Sequence, residues 1–140
     1  MLYILGMKTI GIDIDKKKVV VVAIETNSYC VQLSPETKYF ELKDDRDGTE
    51  LTAFMNELHS YFDSISADKI GIVTRQTKGR FAASPYSFKL EGLIQLYAKT
   101  PIEFVTPQAL TSHFKKNELP LSPSFSYQEK AMKLACYLAK

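Results

Sequence analysis

From residue 8 the chain sets Ile10, Ile12 and Ile14 against Gly11 and Asp13, the two-residue period of a strand with one apolar face. Asp13 and Asp15 fall on the face opposite the isoleucines, about 6–7 Å apart along the strand. Asp15-Lys16-Lys17 supplies a polar turn, and residues 18–25 are β-branched and nearly all apolar, as in a strand covered on both faces. A third strand is predicted over 37–42, completing an antiparallel meander. Asp47-Gly48-Thr49-Glu50 predicts a helix start with reciprocal capping by Asp47 and Glu50, followed by an inner stripe of Leu51, Phe54, Leu58, Phe62 and Ile65. Residues 69–73 read as a fourth strand. Ser84-Pro85 opens a second helix, with Tyr86, Leu90, Leu93, Ile94 and Tyr97 inward. A fifth strand covers 102–105, and Thr106-Pro107 caps a third helix ending near Lys116. After a Pro/Ser linker over 120–126, a last helix over 127–139 turns Tyr127, Ala131, Leu134, Ala135 and Leu138 inward.

With 140 residues, 45% of them hydrophobic, the chain can build one core and not two. Residues 1–7 read as a leader or tail, with Met7 the more natural start, and 8–140 as a single domain. The apolar run Met1–Gly6 is too short for a signal peptide or a membrane span, and no other run approaches the roughly 20 residues a membrane helix needs. A soluble, cytoplasmic protein is expected. The net charge of +2 restricts any electrostatic argument to local clusters. Cys30 and Cys136 read as reduced, packed thiols, and His59 and His113 as surface residues. There is no P-loop, dinucleotide fingerprint or nucleophile elbow.

Two features carry chemistry. Asp13 is an acid on a strand destined for the sheet interior, where an uncompensated carboxylate costs several kcal/mol. The second is the loop Arg75-Gln76-Thr77-Lys78-Gly79-Arg80. From Lys69 to Lys89, both included, there are five basic residues and no acid, and the loop leads into a helix N-terminus, where free amides favour anions. Arg75, Lys78, Gly79, Arg80 and Lys89 are the expected phosphate or nucleic-acid contacts, Gly79 allowing close backbone approach.

The order β-β-β-α-β-α-β-α-α is that of the ribonuclease H-like fold: a three-stranded antiparallel meander plus two parallel strands in a five-stranded mixed sheet, with helices on both faces. Within it, Gly11-Ile12-Asp13, Phe88-Lys89-Leu90-Glu91-Gly92-Leu93-Ile94 and Phe104-Val105-Thr106-Pro107-Gln108 with Lys115-Lys116 resemble the RuvC-type Holliday-junction resolvases. In that group the second-helix glycine lets the helix pack closely. A more specific resemblance rests on Thr77-Lys78-Gly79-Arg80-Phe81-Ala82, Ser87-Phe88-Lys89-Leu90-Glu91, Ile94-Gln95-Leu96 and Tyr127-Gln128-Glu129-Lys130-Ala131. These residues resemble a bacterial family of single-domain proteins, domain of unknown function 3010, which brings the same fold and no established activity.

The resolvase resemblance implies Asp13 and Glu129 as catalytic residues and ligands of Mg or Mn. It also exposes departures. Thr74 and Arg75 stand where an acid is expected at the end of the fourth strand, and Tyr127 and Lys130 where acids begin the last helix. The implied function is nucleic-acid or phosphate binding with a degenerate metal-dependent nuclease site; DNA or RNA is the partner, with no membrane, and a homodimer is compatible. The alternative is a catalytically inactive protein-interaction module in which an Asp13–Arg75 pair replaces the metal site. A nucleotide-binding domain of the actin and sugar-kinase type shares the Gly-Ile-Asp strand, but here the following hairpin is Lys16-Lys17-Lys18 and there is no second half.

Overall fold

The structure, a computed structural model, describes residues 6–74 and 85–140. Strands β1 (Met7–Asp15) and β2 (Lys18–Thr26) form a full antiparallel hairpin, Asp15 facing Lys18 across a turn in which Lys16 takes positive φ. On the outer side of β2 lie two short strands, β3 (Cys30–Leu33) and β4 (Tyr39–Glu41). β3 pairs with Ala23–Thr26 and β4 with Lys18–Val20, so together they fill one lane of the sheet. On the other side of β1 run β5 (Lys69–Val73) and β6 (Ile102–Val105), both parallel to it. The sheet has the expected five lanes, but the outer antiparallel lane holds two strands where one was predicted. Ser34 takes positive φ and accepts from Thr37 N–H, turning the chain between them.

Helices cover both faces. On the Ile10, Ile12 and Ile14 face lie α1 (Gly48–Ile65) and α2 (Pro85–Gln95), closed by Phe54, Leu58, Phe62, Leu90 and Ile94. Asp47 caps α1 as expected by accepting from Thr49 N–H; its predicted partner Glu50 instead accepts from Lys43 N–H, holding the incoming loop. The opposite face, with Val20, Val22, Ile24 and Val73, is covered by α3 (Pro107–Lys116) and α4 (Glu129–Leu138). Thr106 caps α3 through Ala109 N–H.

The seating of α4 is set by two glycines that are register partners, Gly11 on β1 and Gly71 on β5. A Cβ on Gly11 would collide with the backbone of Ala131 and with Ala135 N, and one on Gly71 would lie 2.9 Å from Leu138 Cδ1. Thr9 Oγ1 donates to Ala135 O at 2.7 Å, fixing the helix to the same strand. The close approach that the resemblance placed at Gly92 is absent: a Cβ there meets nothing within 4 Å.

Tyr127 also departs from expectation. The last helix begins two residues late, after a 3-10 turn over Ser126–Gln128, and Tyr127 is 37% exposed while Met132 takes its place in the core. Neither histidine is simply solvated. The His59 ring packs against Phe62 and Tyr97 and its Nε2 lies 2.9 Å from Leu93 O; since a carbonyl only accepts, that nitrogen carries the proton. His113 packs on Phe114 and Tyr137.

Candidate functional site

Three parallel strands end at the same edge, and a cleft of about 450 Å³ opens there. In open α/β sheets this is where ligands sit, because side chains and loops at the carboxyl ends of the strands are free to converge. The floor is Asp13, Ile14 and Asp15 from the end of β1 and Val73 from the end of β5. Pro107, Leu110 and Thr111 from the start of α3 make one wall. Tyr127, Glu129, Lys130 and Lys133 make the other.

Strand alternation puts Asp13 on the α4 face with Gly11 and Thr9, at 8% exposure, while Asp15 at the strand end is exposed. Because Gly11 lets α4 approach so closely, the first turn of that helix, with Glu129 and Lys130, stands over the same edge. Asp13 and Glu129, the two residues predicted as catalytic and metal-ligating, therefore line one cleft. Glu129 Oε1 lies 2.8 Å from Lys133 Nζ, one helical turn on, and that hydrogen bond holds its carboxyl below the usual carboxylate range.

Two-metal phosphodiester chemistry requires oxygen ligands converging on cations about 3.5–4 Å apart. The described residues do not fit that requirement. No group of three His, Cys, Asp or Glu among them is arranged to hold a metal ion, and the acid nearest the helix start is turned to a lysine. At the end of β5 Thr74 stands where an acid was expected, its N–H donating to Val105 O.

Arg75, Lys78, Gly79 and Arg80 lie outside the described residues. Lys89, predicted beside them as a phosphate contact, is bound elsewhere: its Nζ donates at 2.8 Å to both the carbonyl and Oδ2 of Asp45, tying α2 to the loop before α1. Its ammonium is satisfied on that loop, and neither Lys89 nor Asp45 is among the residues lining the cleft. The two thiols, remote in sequence, are neighbours behind α4, and burial with the nearby Cys30 pushes Cys136 up to about 12, an unreactive value.

Sequence reasoning missed a group of exposed aromatics next to the cleft. Tyr39, Phe125 and Tyr127 are 40%, 46% and 37% exposed. Phe125 and Tyr127 stack with centroids 5.5 Å apart, and Tyr39 meets Tyr127 edge-on at 6.1 Å. Lys18 Nζ sits over the Tyr39 ring at 4.6 Å and Lys38 Nζ over Phe125 at 5.4 Å. The available signal was Pro-Ser-Phe-Ser-Tyr before the last helix, a turn-forming run in which the aromatics need not follow helical spacing.

A family model described as protein of unknown function (DUF3010) matches residues 7–138, and the chain belongs to that family. No curated protein matches it. Among solved structures it is similar to Thermus thermophilus RuvC, with TM-score 0.70 and 12% identity, covering 92% of this chain and 91% of that one. The same enzyme in complex with a Holliday junction substrate gives 0.68 at 12% identity, with 92% and 90% covered. The yeast mitochondrial Holliday junction resolvase Ydc2 gives 0.54 at 12% identity, with 95% of this chain and 68% of that one covered. The fold is thus ribonuclease H-like, of the RuvC type.

Proposed function

We propose that this member of the DUF3010 family is a nucleic-acid-binding protein that seats a phosphodiester backbone in the cleft at the carboxyl ends of β1, β5 and β6. The observation that carries the reading is that two lysines of the first turns of α4, Lys130 and Lys133, line that cleft together with the strand-borne Asp13. Lys130 offers a phosphate contact directly, Lys133 lines the cleft and would share its ammonium between Glu129 and a phosphate, and the N-terminal ends of α3 and α4 add their positive dipole ends. A protein of the same fold, Thermus thermophilus RuvC, has been captured with a Holliday junction substrate; at this level of identity the likeness is an analogy of fold. Seating rather than cutting is what the donor set supports, since Glu129 is matched by Lys133 and Lys130 occupies a place where an acid would be needed.

Fluorescence anisotropy with labelled oligonucleotides over a salt series tests this. With two lysines engaged, log K should fall against log salt with a slope of roughly −1.4 to −1.8. Lys130→Gln should flatten that slope by about one charge's share, roughly 0.7–0.9. A Mn²⁺-dependent gain in affinity that Asp13→Asn abolishes would point instead to a metal-bridged complex, and no measurable binding would end the proposal.

A further inference from the structure

The aromatic group beside the cleft is placed in register with Asp13. Asp13 faces Val20 on β2, and Val20 faces Tyr39 on β4, so the three residues form one row across the sheet and their side chains share the α4 face. Two strand spacings put Tyr39 about 10 Å from Asp13. Tyr127 joins the two places, since it lines the cleft and touches Tyr39. Lys18, two residues before Val20 on the same face, is in register with Asp15 on one side and Glu41 on the other.

We propose that Tyr39, Phe125 and Tyr127 are a stacking shelf for unpaired bases, so that the preferred ligand of the cleft is single-stranded nucleic acid. This rests on the reading of the cleft as a nucleic-acid site and names its substrate class. Four features argue for it. The rings form one contiguous exposed group, which is informative where a single exposed ring is not. They are prearranged: the 3-10 turn that carries Phe125 and Tyr127 is closed by the buried Gln128, whose Oε1 accepts from Phe125 N–H and whose N–H donates to Phe125 O. Each end of the shelf has a lysine poised over a ring, able to turn to a phosphate once a base takes its place. Finally, among the described residues lining the cleft the acids Asp13, Asp15 and Glu129 face the lysines Lys130 and Lys133, so these charges alone yield modest affinity and stacking adds to them. Interleaved lysines and aromatic faces are what sequence-tolerant single-strand binders use. A duplex keeps its bases stacked internally and offers nothing to these rings.

The test compares a labelled oligodeoxythymidylate with a matched duplex by anisotropy, using wild type, Tyr39→Leu, Tyr127→Leu and Tyr127→Phe, each checked for a native circular-dichroism spectrum. The chain has no tryptophan, so quenching of tyrosine fluorescence by the oligonucleotide is a second readout. Wild type should favour the single strand by at least about tenfold. Each leucine variant should lose roughly 5- to 100-fold on the single strand with little change on the duplex, and Tyr127→Phe should retain binding. If both leucine variants bind the single strand as wild type does while Lys130→Gln weakens it, the shelf is refuted and the cleft reading stands. If no nucleic acid binds wild type, both fall. If the chain is a dimer by light scattering and Tyr127→Leu makes it monomeric, the aromatics form a contact between copies and the shelf is overturned.

Discussion

A glycine is the residue on which fold and cleft jointly depend. Gly11 looks in the sequence like a gap between isoleucines, and its neighbour Asp13 drew attention because strand alternation alone puts an acid on a face meant for packing. That much was legible, since a period of two needs no tertiary knowledge. The need for glycine was not, because it arises from the backbone of α4, which lies 120 residues further along the chain. The prediction is a contrast between two Gly→Ala substitutions. Gly11→Ala forces the helix off the strand and should cost about 1–3 kcal/mol or more in urea unfolding. Gly92→Ala, inside α2 with open space around it, should raise stability by roughly 0.5–1 kcal/mol by relieving helix-interior glycine. Equal losses at both positions would contradict the seat described for α4.

Among the elements, long periodic segments were legible and short ones were not. α1 has five turns of apolar stripe and both its capping aspartate and its buried face follow from the sequence. The lane formed by β3 and β4 was half missed: four and three residues respectively are too few to display a period, and exposed Val31 and Tyr39 break the inward pattern. Edge strands are commonly short, which makes them both harder to read and less prone to pair with other chains. Side-chain ties between elements were likewise invisible. Asp63 on α1 accepts from Tyr97 Oη at 2.8 Å and Lys99 Nζ at 2.9 Å, and Asp45 holds Lys89. Hydrogen bonds from Lys99 and Tyr97 lower the Asp63 pKa, and that from Lys89 lowers the Asp45 pKa. A carboxyl depressed on folding binds its proton more readily in the unfolded chain. Its contribution is therefore complete above the ordinary value of 3.8 and disappears as the pH falls through the lowered value. Asp63 is exposed and Asp45 lies in a surface loop, partly covered, so the effect is modest. Melting temperature should fall on acidification below about pH 4, and the double variant Asp45→Asn/Asp63→Asn, slightly less stable at neutral pH, should lose less over that range. A parallel decline in the two proteins would show that other carboxyls govern acid unfolding.

Across the whole molecule, the two faces of the sheet do different work. The α1–α2 face carries the larger core, with the aromatic contacts of His59, Phe62 and Tyr97, and among the described residues it contributes only Ile14 to the cleft lining. The α3–α4 face has smaller clusters, but it presents the cleft walls, the buried edge of Asp13 and the aromatic shelf. Such a division keeps the stable half apart from the half that meets a ligand, and regions that bind are commonly those of lower local stability. A ligand seated as proposed would clamp α4 and β4 without touching α1. Hydrogen exchange followed by mass spectrometry with and without saturating oligodeoxythymidylate should therefore show added protection in residues 38–42 and 125–134 and unchanged exchange in 50–65. Ligand at about 100 times its Kd adds roughly 2.7 kcal/mol to any opening that releases it, so local opening of that half slows measurably while local openings of α1 that leave the ligand bound do not. Added protection of α1 equal to that of α4 would mean that the oligonucleotide sits elsewhere or stabilises the protein only globally, and the cleft would lose its place as the binding site.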